Sequence, residues 1–193
     1  NDSDDAVDTE NSGPASSMGG PAATDTIRQK RFVYLLQSKV PRNDPRLVEN
    51  KDRDIVWLTF SEAANNSRNS NHIIFRPNTT WSTGRNELLY YALDQLDPVR
   101  RYEYFVFLDA DVLDMIGLYD TSQQQRNPWE IFEEFLLRWR PAVGYVARYA
   151  WQRVDEGREF TAGHFNVDGN LNAFHRSTLG LLLPYHSDLD DQC

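Results

Sequence analysis

The segment Tyr104-Phe105-Val106-Phe107-Leu108-Asp109-Ala110-Asp111-Val112 constrains this chain more than any other. Its unbroken apolar and aromatic run, rich in β-formers, reads as a strand buried on both faces of a sheet. The strand should end where the two carboxylates begin. In open α/β sheets ligands bind outside the carboxyl ends of strands, so Asp109 and Asp111 stand where a metal and an anionic substrate would bind. On an extended backbone, residues i and i+2 point to the same side. Carboxylates so placed repel unless a cation or hydrogen-bond donors neutralise them.

The flanking sequence supplies the layers. Arg31–Leu36, Asp54–Phe60 and His72–Phe75 read as strands. A helix opening at Trp81–Asn86 carries Leu89, Ala92, Leu93 and Leu96 at i, i+3, i+4, i+7, one apolar face. Ser82 or Thr83 is its expected N-cap, and Asp97-Pro98 its expected end. A second helix has Asn127 as cap, Pro128 in first position and Glu130 three residues after the cap, with Pro141 as its stop. Val143–Ala147 and Leu171–Phe174 read as further strands, and Ser177–Leu183 as a short helix ended by Pro184. Alternating strands and helices predict an α/β domain with a mostly parallel central sheet flanked by helices.

Charge is uneven. Residues 1–26 hold six acids and no Lys or Arg, so most of the formal charge of -9 belongs to them. Rich in Asp, Ser, Gly, Pro and Ala, they cannot offset the entropy of ordering and read as a disordered acidic tail or stem. The folded domain then spans 27–193, and the chain reads as a C-terminally truncated fragment with an incomplete domain. The nearly neutral remainder has no basic stripe, so no nucleic-acid partner is expected. The lone Cys193 excludes an internal disulfide. Sequons at Asn1, Asn65 and Asn78 lean toward a secretory, Golgi-lumenal setting, with the cytoplasm left open. No stretch reaches the ~20 apolar residues of a membrane span, so a membrane anchor would lie outside this sequence.

Hard oxygen ligands at Asp109 and Asp111 suit Mg²⁺ or Mn²⁺, which typically take one or two carboxylates plus substrate phosphates. Arg85 and Asn86 begin a helix, where backbone N–H groups and the dipole attract anions. Arg85 is expected at a diphosphate, and Asn86 at the nucleotide or donor sugar. Among Asp188, Asp190 and Asp191, one could act as general base if burial raised its pKa.

Three of these stretches resemble the GT-A class of nucleotide-sugar glycosyltransferases, over roughly residues 31–193. Phe105–Asp111 looks like the Asp-x-Asp motif at the end of a central strand. Gly84-Arg85-Asn86-Glu87-Leu88-Leu89 looks like the Arg-Asn helix start that precedes it. Asp190-Asp191-Gln192 looks like the acidic segment where inverting members place their base. The resemblance implies a metal-dependent glycosyltransferase using a nucleotide sugar, UDP-linked by preference. It implies Asp109 facing ribose and metal, Asp111 as direct metal ligand, and Asp191, with Asp190 beside it, as the base. The acceptor, whether glycan, protein or lipid, is not specified. Two other functions compete. A non-catalytic sugar- or nucleotide-binding module could keep the same fold. A haloacid-dehalogenase-type phosphatase also runs a strand into Asp-x-Asp, with the first Asp as nucleophile. That motif opens its domain, however, whereas here three strands precede it, and Leu113 stands where Thr or Val is expected.

Overall fold

The computed structural model describes residues 30–42, 44–61, 70–113, 126–145 and 170–192. The acidic tail over 1–26 lies outside them. So do Asp114, Trp151, His164, Phe165 and Asp168.

Among the described residues six strands form one mixed sheet: β1 (Phe32–Ser38), β2 (Arg53–Thr59), β3 (His72–Phe75), β4 (Tyr104–Asp109), β5 (Val143–Tyr145) and β6 (Leu171–His175). Their order is β3-β2-β1-β4-β6-β5. Strands β1 to β4 pair in parallel, whereas β6 runs antiparallel to both β4 and β5. The sheet is therefore mostly parallel, with β6 the reversed strand. The central parallel strands are buried because both faces are covered: β2 is buried along its whole length, and β4 up to Leu108, whereas the edge strand β3 is only partly buried.

Helix α1 (Trp81–Tyr91) lies on one face, where Leu88, Leu89 and Ala92 pack with Val33, Leu35, Val56, Leu58, Phe105 and Phe107. Helix α2 (Pro128–Trp139) covers the other, where Trp129, Phe132 and Leu136 meet Tyr34, Trp57, Tyr104 and Val106. As expected, Asn127 caps α2, its side chain accepting from the Trp129 N–H at 3.0 Å. Across this layer β2 is tied to α2 by the buried pair Arg53–Glu133, at 2.6 Å.

Helix α1 departs from expectation at both ends. Its cap is Thr80, which accepts from the Thr83 N–H at 3.2 Å, while the Thr83 hydroxyl accepts from the Thr80 N–H at 2.7 Å. The helix also does not stop at Asp97-Pro98. It widens into a π-helical turn (Ala92–Leu96) and continues through Asp97–Arg100. A proline lacks the N–H of a regular turn and clashes with the carbonyl four residues earlier. The wider turn, directly before Pro98, accommodates both defects.

The strand order reverses direction between β1 and β4. One chain half runs outward through β2 and β3, the other through β6 and β5. That junction is the topological switch point, and the crevice outside its carboxyl ends is the ligand position that such sheets favour. Gln37 of β1 and Asp109 of β4 are registered partners there.

Candidate functional site

Helix α1 reaches the switch point because Gly84 leaves room for it. A Cβ at Gly84 would lie 2.3 Å from the Gln37 side-chain nitrogen. That nitrogen donates to the Thr80 carbonyl at 2.9 Å, holding the helix start over the end of β1. This close approach delivers Trp81 and Arg85 to the end of β4.

Arg85 is 1% exposed. Its Nη2 donates to Asp109 Oδ1 at 2.6 Å and its Nη1 to the Tyr185 hydroxyl at 3.4 Å. The guanidinium lies 4.0 Å from the Trp81 ring centroid, with Phe107 at 5.7 Å and Tyr185 at 5.6 Å. Cation–π contacts of this kind gain strength when desolvated. Trp81 remains 41% exposed, and its indole Nε1 donates to Asp109 Oδ2 at 3.3 Å. Both Asp109 oxygens are thus engaged by α1. Arg85, expected at a donor diphosphate, instead has almost no surface to offer a ligand, because the aromatic rings and Asp109 enclose it.

Asp111 differs. Residues 110–113 are helical, so the two acids do not share an extended run, and the same-side geometry expected from i, i+2 does not hold. Ala110, Val112 and Leu113 are buried while Asp111 is exposed. It makes no hydrogen bond or ion pair with other described residues. Of the two carboxylates, Asp111 is the one available to an incoming cation.

Orphaned oxygens lie near this end of the sheet. Gln37 Oε1 and Asn172 Oδ1 are buried and lack a hydrogen-bond partner among the described residues. Gln37 is registered with Asp109, and Asn172 with Phe107, so both occupy the sheet face that carries Asp109. Buried acceptors without partners call for a donor, water or ion. Carboxylate and amide oxygens are the hard ligands that Mg²⁺ and Mn²⁺ take, so the residues present fit such an ion.

Asn86 and the segment after β6 close one side. The Asn86 amide donates to the Tyr185 carbonyl and accepts from the Tyr185 N–H, each at 2.8 Å. The Tyr185 ring meets Trp81, Phe107 and Phe174 edge-on. Burial pushes the Tyr185 phenol above its ordinary pKa, against the lowering effect of the Arg85 charge. Asn86 is thus a structural clasp here, its amide satisfied by backbone.

Asp190 sits at the amino end of α1. It accepts from the Ser82 hydroxyl at 2.5 Å, from the Ser82 N–H at 3.2 Å and from the Thr80 hydroxyl. Slight burial opposes its ionised form. Hydrogen bonds from Ser82, Thr80 and the neighbouring backbone outweigh that and hold the carboxyl below the usual range. A general base needs the opposite shift, so Asp190 is placed as a helix clamp. Asp191 follows in the same 3₁₀ segment, Ser187–Gln192, and its side chain lies outside the described set. His175 caps a short turn through Ser177, and His186 and Asp188 are exposed.

A second acidic group, Glu49, Asp54 and His72, brings its ligand atoms within 4.8 Å of one another. It lies at the amino ends of β2 and β3, away from Asp109. Asp54 is already balanced by Lys30 at 2.5 Å and the Tyr102 hydroxyl at 2.5 Å, and Glu49 accepts from Asn71. This group is satisfied without a metal.

Gln37, Trp81, Asn172 and Tyr185 belong to the site but carry no motif. Only their place at strand ends or a helix start could have flagged them. Among the described residues no helix is long and apolar enough to cross a membrane. Comparison with known protein families, curated proteins and solved structures finds no match for this chain.

Proposed function

We propose that this chain is a metal-dependent glycosyltransferase of the GT-A class, transferring a sugar from a nucleotide-sugar donor, UDP-linked by preference, to a hydroxyl acceptor. One observation carries the reading: an exposed Asp111 follows an oriented, Arg-paired Asp109 at the carboxyl end of a central strand, beside the switch point. Two carboxylates against one guanidinium leave a net negative site that suits a divalent cation.

In this reading Asp111 is the direct ligand of Mn²⁺ or Mg²⁺, and Asp109, fixed by Arg85 and Trp81, contributes charge and direction. The bound ion would supply Lewis acidity toward charge growing on the departing diphosphate. Trp81 presents a half-exposed ring at the mouth, and aromatic faces accept sugar or base rings. Asp190 anchors the 3₁₀ segment to α1, which leaves Asp191 as the candidate base for the acceptor hydroxyl. The phosphatase alternative needs Asp109 as nucleophile, and two donors already hold its oxygens. A secretory, Golgi-lumenal location belongs to the same proposal and rests on the sequons alone.

The test is a hydrolysis screen of nucleotide sugars with Mn²⁺, comparing the protein with Asp111→Asn. Metal-dependent hydrolysis lost in the variant supports the reading. Nucleotide binding without turnover on any donor points to the non-catalytic module. Turnover that ignores metal overturns the proposal.

A further inference from the structure

Arg85 has a function that its burial defines. We infer that it is a positioning residue and a fixed counter-charge that holds the site's affinity for a divalent cation below what the two carboxylates alone would give. The inference rests on the metal reading of Asp109 and Asp111 and adds a control to it.

Arg85 does not serve substrate directly. At 1% exposure, with Trp81 stacked on it and Asp109 and Tyr185 on its nitrogens, it has no surface for substrate. A buried guanidinium costs desolvation, which its 2.6 Å ion pair with Asp109 need not repay. Its placement therefore has another consequence. Its charge is permanent, because an Arg side chain does not deprotonate in proteins. The ion pair fixes Asp109 Oδ1 and offsets its charge, while the indole N–H engages Oδ2. A cation arriving at Asp111 then meets one uncompensated carboxylate rather than two. Aromatic walls also exclude water from the guanidinium, so its field on the cation is screened less than that of a surface charge. The consequence is a site that holds the metal weakly by itself and needs further negative charge, such as a diphosphate, to hold it firmly.

A structural arginine and a counter-charge make opposite predictions for metal affinity. If Arg85 only shaped the site, removing it would weaken metal binding. As a counter-charge, its removal tightens it. The experiment titrates Mn²⁺ alone, read by the loss of free-ion electron paramagnetic resonance signal, against the protein and Arg85→Gln. Circular dichroism and melting of each variant establish that it is folded. The expected result is at least about fivefold tighter Mn²⁺ binding in Arg85→Gln, with Arg85→Lys, which keeps the charge, within about twofold of the parent.

Breaking one half of a buried pair is costly to a fold, whereas replacing both halves is tolerated better. If Arg85→Gln does not fold, Asp109→Asn is compared with Asp109→Asn/Arg85→Gln. The double variant should then bind Mn²⁺ at least about fivefold more tightly than the single one. Equal or weaker binding on removal of Arg85, in either background, overturns the inference. Absence of Mn²⁺ binding by the parent and by every Arg85 variant, with UDP present as well as without it, would instead sink the metal reading itself.

Discussion

The contact between Asp190 and helix α1 separates a clamp from a catalytic base, and Asp190→Ala distinguishes them. The carboxylate serves three donors: the Ser82 N–H, the Ser82 hydroxyl and the Thr80 hydroxyl. Asp190 is only partly buried, so the two hydroxyls can turn to water once it is gone, and little is lost through them. The backbone N–H is different. It is one of the helix's orphan donors, and losing an N-terminal acceptor costs about 1 kcal/mol. The carboxylate's interaction with the helix dipole adds about 0.3–1 kcal/mol. The sum is about 1–2 kcal/mol, a fall in Tm of about 3–6 °C for a chain of this size.

The same contact sets a pH dependence. The folded carboxyl is held below its ordinary value, so its stabilisation is present above the unfolded pKa near 4 and is lost as pH falls through the lower folded value. The melting difference between parent and Asp190→Ala should therefore be full at pH 7 and shrink below about pH 4. Thermal melts over pH 3–8 measure it. A variant whose melting is unchanged at every pH, but which has lost all turnover, would refute the clamp and restore Asp190 as the base.

Other consequences follow from the same packing. Glu133→Gln removes the partner of the buried Arg53 and should cost about 3–5 kcal/mol in urea unfolding; a loss below 1 kcal/mol would mean that the pair is already hydrated. Gly144→Ala puts a Cβ 2.4 Å from the buried Leu136 side chain, and overpacking of that kind costs about 1–3 kcal/mol, visible in the same assay. Burial raises the phenols of Tyr34, Tyr104 and Tyr185, with Tyr104 pushed up to about 12. Raised values stabilise the fold fully below the ordinary pKa near 10 and are lost as pH climbs toward 12. In an alkaline absorbance titration these three should ionise late, together with unfolding.

Much of the fold is legible because burial leaves a mark on composition. Tyr104–Leu108 could be read as a central strand, and Asn127-Pro128 as a helix start, since apolar runs and cap chemistry are local properties. The placement of Asp109 at the end of a central strand follows from the same reading. What was not legible depends on contacts distant in sequence. Thr80, Ser82 and Thr83 are all competent caps, and local sequence does not choose among them. Asp190 reaches α1 from 110 residues away, and nothing around it marks it as that helix's clamp. Arg85 reads as a phosphate ligand because arginines are usually exposed; only the packing of Trp81, Phe107 and Tyr185 around it shows otherwise. The reversed β6 was hidden because a buried run does not record its direction. The π-helical turn before Pro98 was hidden because proline signals an ending more strongly than a detour.

The central claim is that Asp111 holds a divalent cation which in turn holds a nucleoside diphosphate. The direct measurement is thermal stabilisation by UDP with and without Mn²⁺, in the parent protein and in Asp111→Ala. The account predicts stabilisation that requires both Mn²⁺ and UDP and that disappears in Asp111→Ala, while the variant's melting without ligand stays within about 1 °C of the parent because Asp111 is exposed. Stabilisation by UDP and Mn²⁺ that persists unchanged in Asp111→Ala would contradict it.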